Sequence, residues 1–182
     1  LREAMPALPG ELSELSGENY TGGEEYYEFQ DISSLEMDFG LCDLHLFQHP
    51  NDHLAVVADN TRNYFTCRQE GNCLILEDKR PSSTKTNSMD NALRLDLYLP
   101  EHKFDSISLD MECGNLSLIR LSADTVDLTG GVGNISIGTL SCQSLNVDTG
   151  VGEFTADSIS ASKEADISLG TGSAVLTQYE GA

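Results

Sequence analysis

The sequence predicts an all-β fold: a single-stranded parallel β-solenoid (β-helix) with coils of about 19–20 residues, preceded by a less regular β-meander. Three observations predict it: a recurring Gly-x-Gly motif, apolar residues at alternate positions on both sides of that motif, and very few insertions between copies. A fixed period near 20 residues is typical of stacked arrays, in which one unit cannot bury its own apolar face.

The repeat is clearest in the second half of the chain. Its motif recurs at Gly114, Gly133, Gly152 and Gly172, with spacings of 19, 19 and 20 residues. Six apolar positions align between copies and pair at i, i+2, which is the strand period and predicts three short strands and three corners per coil. A corner needs a positive φ or leaves no room for a Cβ atom, which favours glycine. The glycines that we assign to structural corners are Gly114, Gly131, Gly133, Gly150, Gly152, Gly170 and Gly172.

Composition limits the classes of partner. The chain has 182 residues, with 30 acidic against 10 basic residues and a formal net charge of −20. Nucleic acid and anionic lipid both need clusters of Lys and Arg, and the sequence has no such cluster. We therefore expect no nucleic-acid partner and no membrane contact by this segment. No run approaches the roughly 18 apolar residues of a membrane-spanning helix.

The chain divides into three predicted regions. Residues 1–28 are acidic and rich in Gly, Pro and Ser, which predicts a flexible linker. Residues 29–103 are an irregular β region that forms N-terminal coils or a cap. Residues 104–182 are the regular β-solenoid repeats.

Short strands are predicted throughout the irregular region. Alternating apolar residues on both sides of Gly40 echo the later repeat unit. Three runs, 54–58, 64–67 and 73–76, are separated by turn residues and predict an antiparallel meander. The polar stretch 81–91 predicts a loop. Four leucines from Leu93 to Leu99 then alternate with Arg94, Asp96 and Tyr98, which predicts a half-buried strand that ends at Pro100.

The cysteines do not decide the redox compartment. The five are Cys42, Cys67, Cys73, Cys113 and Cys142. No Cys-x-x-Cys pair exists, so a zinc site is unsupported. Cys67 and Cys73 flank a turn, so either a disulfide across a hairpin or free thiols fits them, with free thiols the default.

The motifs that could carry chemistry are better explained by structure. Residues 130–135 begin like a calcium-binding nonapeptide, but Ile135 stands where an Asp ligand is required. Gly170-Thr171-Gly172 precedes no helix and lacks the Lys of a phosphate loop. His45, His49 and His53 have helical spacing within a predicted strand, so the spacing is incidental. We assign no catalytic, cofactor-binding or metal-binding residue, and we predict that the protein is not an enzyme.

The chain resembles a bacterial putative-adhesin family, a β-strand-repeat domain of unknown function found in envelope proteins. The resemblance covers roughly residues 30–182. It rests on Leu97-Tyr98-Leu99-Pro100-Glu101, then Phe104-Asp105-Ser106-Ile107-Ser108-Leu109, then the Gly-x-Gly coils. Glu112 departs from the pattern, because the first Gly of the motif is missing there. The resemblance implies a β-solenoid on the extracellular face of the envelope, anchored to the membrane through an N-terminal segment that precedes Leu1.

The resemblance implies a non-catalytic role in adhesion or protein–protein contact, with an unidentified protein or glycan partner. The alternative is the extracytoplasmic domain of an envelope-stress or signalling accessory protein, and a weaker one is a glycan-binding or glycan-cleaving β-helix. An adhesin or a glycan binder needs an exposed aromatic or hydrogen-bonding strip on one face, for which the candidates are Tyr26, Tyr27, Tyr64 and Tyr98. The ligand, the oligomeric state and the handedness of the coil stay open.

Overall fold

The structure, a computed structural model, describes residues 24–80 and 91–181, which form one eight-stranded sheet without an α-helix. The predicted all-β class is confirmed. The strands are β1 (Glu25–Phe29), β2 (Ser34–His49), β3 (Leu54–Asp59), β4 (Phe65–Glu70), β5 (Cys73–Asp78), β6 (Leu93–Pro100), β7 (Phe104–Val132) and β8 (Ile135–Gly181). The described residues contain no helix with the length and hydrophobicity that crossing a membrane requires.

The sheet is mixed. Its main path runs β1-β3-β6-β2-β5-β4, and β7 pairs with both β2 and β8. Pairing is parallel between β2 and each of β5, β6 and β7, and between β7 and β8. It is antiparallel between β1 and β3, β3 and β6, and β4 and β5.

Strand β2 is the centre of this arrangement. Its first part, Ser34–Phe39, pairs with β5 on one side and with residues 106–111 of β7 on the other. Its second part, Cys42–His49, pairs with β6, and residues 42–46 also pair with residues 114–118 of β7. The two alternating runs around Gly40 therefore occupy the same register as the first repeat of the second half.

Strands β7 and β8 are much longer than ordinary strands and pair in a register that equals the sequence repeat. Leu116 lies opposite Ile135, Leu128 opposite Val147, and Val132 opposite Val151, an offset of 19 residues in each case. We call each set of residues in equivalent register a layer. The core is a column of apolar side chains, one set from each layer, that point to the same side of the strands.

The six predicted apolar columns are buried in the inner layers, except at Cys142, which is partly buried. Leu109, Leu128 and Val147 are each no more than 3% exposed, and Phe154 and Ile159 are as well buried. The last layer, residues 164–181, differs because it is covered on one side only. Leu176 is 36% exposed and Tyr179 is 44% exposed.

The predicted order of the first half is wrong in two places. Strand β3 does not pair with β4, so residues 54–76 are not a continuous meander; only β4 and β5 form a hairpin. Residues 25–28, predicted as the end of a linker, belong to β1, because Tyr27 and Phe29 are buried against the core while β1 pairs with β3. The rest of the predicted linker, residues 1–23, and residues 81–90 of the predicted loop lie outside the described residues.

All five cysteines are free thiols. Cys67 lies opposite Leu76, and Cys73 lies opposite Glu70, because the turn of the hairpin contains only Gly71 and Asn72. The register therefore keeps the two sulfur atoms apart, and the disulfide that the sequence left open does not form.

A buried ion pair closes the layer that contains β5 and β6. The Arg80 guanidinium donates to both carboxylate oxygens of Asp78, at 2.8 and 2.6 Å. It also donates to the carbonyl oxygens of Asn91 and Thr61, at 2.8 and 3.1 Å. Asp78 is 0% exposed and Arg80 4% exposed, so each charge depends on the other for compensation.

Replacing Leu128 by Asp should abolish cooperative folding. Leu128 is 1% exposed, and the change removes its packing while burying an uncompensated carboxylate, at a cost of at least about 4 kcal/mol. Thermal unfolding followed by circular dichroism measures the effect. Thr125→Asp is the control, because Thr125 is exposed in the same strand and lies opposite Ser144. An unchanged thermal midpoint for Leu128→Asp would contradict the register.

Replacing Arg80 by Met should destabilise the protein by about 3–5 kcal/mol, because the Asp78 carboxylate loses its partner. The double variant Asp78→Leu, Arg80→Met should lose less, since no buried charge is left unpaired. Urea unfolding of the three proteins measures both differences. An Arg80→Met variant as stable as the original would show that the pair contributes nothing.

Candidate functional site

The outward side chains form two chemically different faces. One face, which we call the acidic face, consists of outward residues on the first strand segment of each layer. Its carboxylates are Glu36, Asp38, Glu77, Asp110, Asp127, Asp148 and Asp166. This face carries seven of the 30 acidic residues of the chain.

Like charges lie in register on the acidic face. Asp38 pairs with Glu77 on one side and with Asp110 on the other. Like charges directly opposite each other are destabilising, so nearby cations offset them. Lys79 donates to the Asp38 carboxylate, which raises the pKa of the lysine, and Arg68 Nη1 lies 3.5 Å from Glu77 Oε2.

The second face, which we call the neutral face, consists of outward residues on the next strand segment of three layers. They are Ser117, Ile119, Ser136, Gly138, Thr155 and Asp157. Ser117 lies opposite Ser136, and Thr155 follows 19 residues later, the spacing at which Gly152 lies over Gly133. Ile119 is 54% exposed, and Asp157 is the one ionisable group among these six residues.

The neutral face is flat because of small side chains. A Cβ at Gly138 would lie 2.3 Å from the carbonyl oxygen of Ile119, so no larger residue fits there. The neighbouring hydroxyl column offers donors and acceptors without a fixed charge. The arrangement suits contact with another flat, polar and uncharged surface.

The glycines of the repeat bring backbone against backbone. Gly133 has a φ of 141°, and a Cβ on it would lie 1.6 Å from the carbonyl oxygen of Gly114. Gly152 repeats this geometry against Gly133, with a φ of 146° and a distance of 1.8 Å. The positive φ and the close backbone contact explain why glycine occupies these positions. No bound ligand is needed to explain these glycines. Val132 and Val151, between the glycines, are about half exposed.

The other motif residues of this region also have structural partners. Ile135 is 4% exposed and points into the core, so the position that holds Asp in calcium-binding repeats cannot reach a cation. Asn115 Oδ1 accepts a hydrogen bond from Asn134 N at 3.1 Å, and Asn134 Oδ1 accepts one from Glu153 N at 3.0 Å. This side-chain ladder was not predicted; its signal in the sequence is Asn at the same place after two successive motifs.

The histidines are close in space but do not converge on one point. His49 is buried, and its Nε2 lies 2.7 Å from the carbonyl oxygen of His53. His53 Nε2 lies 3.5 Å from Glu28 Oε1. His45 lies on β2, where its ring stacks on Phe47 and its hydrogen bond lowers the pKa of Asp43. Among residues 24–80 and 91–181, no His, Cys, Asp and Glu side chains form a group of three or more that could hold a metal ion.

The four candidate tyrosines do not form an exposed strip. Tyr27 and Tyr98 are 1% exposed, and Tyr26 is also buried. Tyr98 stacks on Phe47 with ring centroids 5.2 Å apart. Only Tyr64 of the four is exposed, with the Arg80 guanidinium 5.5 Å from its ring centroid.

Three thiols, those of Cys42, Cys73 and Cys142, are poor nucleophiles because their pKa values are raised. Burial, followed by the charge of Asp78, raises the pKa of Cys42 well above its ordinary value. Burial also raises the pKa of Cys142, and burial together with Glu36 raises that of Cys73.

Three depressions among the described residues are shallow and open, and two of them are lined largely by carboxylates, serines and apolar strand residues.

Comparison with known proteins gives a family and a fold. The model of the family described as Toastrack DUF4097 matches residues 32–182. A "putative cell adhesion protein" from Clostridium sporogenes has a similar solved structure, with a TM-score of 0.59 and 11% sequence identity. The alignment covers 87% of this chain and 99% of that chain. This similarity concerns the fold alone.

Two weaker structural similarities carry no argument. A "putative adhesin" from Bacteroides fragilis has a TM-score of 0.39 at 11% identity, covering 86% of this chain and 97% of its own. A "putative lipid binding protein" from Parabacteroides distasonis has a TM-score of 0.28 at 13% identity, covering 88% and 97%. No curated protein matches the sequence.

Replacing Gly133 by Ala should destabilise the protein by at least about 3 kcal/mol, because it combines a strained φ with a backbone clash. Gly130→Ala is the matched control in the same segment. A Cβ at Gly130 would have its nearest neighbours, Ile135 Cδ1 and Thr149 Cγ2, at 3.9 Å, so a change within about 1 kcal/mol is expected. Chemical unfolding measures both variants. Equal effects would show that close backbone approach does not explain the glycine.

Proposed function

Because the chain belongs to the Toastrack DUF4097 family, we propose that it is a non-catalytic binding domain of the bacterial cell envelope that contacts a partner protein along its neutral face. The observation that carries the proposal is the separation of charge between the two outward faces. The predicted resemblance to an adhesin-like family of unknown function is confirmed by the family match.

Charge depletion favours the neutral face as the contact surface. The cores of protein interfaces are depleted in charged residues relative to the remaining surface. The neutral face has one carboxylate, Asp157, among its six residues, whereas the acidic face has seven carboxylates. The acidic face maintains solubility and repels nonspecific partners.

A stacked architecture supports such a flat face. We infer that the chain from Phe104 onward winds as a parallel β-solenoid with coils of 19–20 residues. The constant offset of 19 residues between β7 and β8 supports this, as does the approach of Gly172 to Gly152, an offset of 20. Each of the three layers of the neutral face then adds one hydroxyl, from Ser117, Ser136 or Thr155, at a spacing of about 4.8 Å.

The same features favour binding over catalysis. The repeats leave no room for a loop-built cleft, because the 20-residue spacing is the longest between the motifs. The raised pKa values of Cys42, Cys73 and Cys142 disfavour thiolate nucleophiles. Burial of Tyr26, Tyr27 and Tyr98 disfavours stacking on sugar rings and therefore a glycan ligand.

The outer side of the cell envelope is the location that we propose. Support comes from the adhesion-related description of the similar structure from Clostridium sporogenes. A domain at this location meets proteins of the envelope or of other cells. Its high negative charge keeps it soluble there.

Placing an arginine on the neutral face should abolish partner capture without loss of stability. The variant is Ser136→Arg, and the matched control is Ser108→Arg, an equally exposed outward serine on the acidic face. Immobilised protein is incubated with envelope extract from the encoding organism, and captured proteins are identified by mass spectrometry. We expect Ser136→Arg to lose at least about 90% of the specific capture, which is roughly tenfold in affinity, and Ser108→Arg to retain it.

Two outcomes would contradict the proposal. Equal capture by Ser136→Arg and the original protein would exclude the neutral face as the contact surface. Binding to a glycan array, together with the absence of any protein partner, would replace the protein ligand with a carbohydrate. Thermal unfolding of both variants checks that a loss of capture is not a loss of fold.

A further inference from the structure

The last layer of β8, residues 164–181, is an open edge of the sheet. It lies over the layer before it: a Cβ at Gly170 would meet the carbonyl oxygen of Gly150 at 2.5 Å, and one at Gly172 that of Gly152 at 1.7 Å. Every residue from Gly170 to Gly181 is exposed. Leu176 is 36% exposed, whereas Ala156, the equivalent residue on the layer below, is 2% exposed.

The middle of this edge, residues 167–179, lacks the features that normally protect a sheet edge from pairing, and the carboxylates of Glu164, Asp166 and Glu180 flank it. Proteins protect edges with charged side chains, proline, bulges or very short strands. The segment from Ile167 to Tyr179 contains no charged residue and no proline. An edge strand presents outward backbone N–H and C=O groups for pairing, and here they lie beside partly exposed apolar side chains.

The opposite end of the sheet is protected. Its edge strands are β1 and β4, of five and six residues. β1 carries Glu25 and Glu28, and β4 carries Arg68 and Glu70, whose side chains pair at 3.0 Å. The two ends of the sheet therefore differ: β1 and β4 are short and charged, whereas residues 167–179 of β8 are uncharged and free to pair with another strand.

We propose that residues 164–181 form the interface of a homodimer, in which the last layer of one chain pairs with the same layer of a second copy. A two-fold axis places the two identical edges antiparallel, so that backbone donors meet acceptors. Neither copy contributes a charge between residues 167 and 179, although each chain carries a net charge of −20, and the carboxylates of Glu164, Asp166 and Glu180 lie at the two ends of the layer. The electrostatic repulsion between two copies is therefore confined to the ends of this interface.

A second copy fits this edge better than a continuing stack. Head-to-tail stacking would join the β8 edge to β1 and β4, whose direction, length and charge do not match it. A two-fold contact uses both open edges and closes, so the assembly stops at two chains. This dimer leaves the neutral face of both copies exposed, so it is independent of the function proposed above.

Sedimentation velocity over about 1–300 μM protein tests the dimer, for which we expect a dissociation constant in the micromolar range. Raising NaCl from about 0.05 M to 0.5 M should strengthen association several-fold, because salt screens the repulsion between the chains. Thr177→Asp should weaken association at least about tenfold, since the two-fold axis brings two added charges to one interface. Thr125→Asp adds the same charge away from the edge and should leave association unchanged.

Hydrogen exchange locates the interface. Amides of residues 164–181 should gain protection at concentrations where the dimer forms, and Ser136→Arg should dimerise like the original protein. A monomer at every concentration overturns the proposal. So does a dimer that instead protects β1 or β4. A monomer whose edge amides are already protected would mean that another part of the same chain covers the edge, which also overturns it.

Discussion

The close approach of backbone to backbone at the repeated glycines is the constraint on which the rest of the molecule depends. Gly133 donates its N–H to the carbonyl oxygen of Val151 at 2.9 Å, and a Cβ on Gly133 would lie 1.6 Å from the carbonyl oxygen of Gly114. This contact leaves no freedom to slip by one residue. A slip would also turn every apolar side chain outward, so packing and glycine geometry enforce the same register.

Because the register is fixed, outward side chains of similar chemistry collect on the same face. Outward positions recur at the same place in each layer, so one residue type repeated in sequence becomes a column in space. Carboxylates thereby collect on the acidic face, and Ser117, Ser136 and Thr155 collect on the neutral face. Neither face requires a cleft, which is consistent with the binding by a flat surface that we propose.

The first half uses the same register but completes it with nonrepetitive elements. β2 lies between two layers, and β5 and β6 together supply its neighbours on one side. The Asp78–Arg80 pair joins these pieces where the repeat has a glycine corner, and the backbone of Arg80 passes close to Gly40. A buried charged pair there specifies a single arrangement of chain segments that are distant in sequence.

The all-β class, the layer period and the inward columns could be predicted from the sequence, because alternation and a fixed spacing are local properties that need no knowledge of neighbours. The sequence also indicated Leu93–Pro100 as a strand and Ile135 as a core residue rather than a ligand. The folded arrangement was needed to show that β3 pairs with β1 and β6 instead of β4, that β1 begins at Glu25, and that Cys67 faces Leu76. It alone separated the acidic face from the neutral face. Strand partners and outward faces depend on contacts between residues far apart in the chain, and such contacts leave no periodic signal.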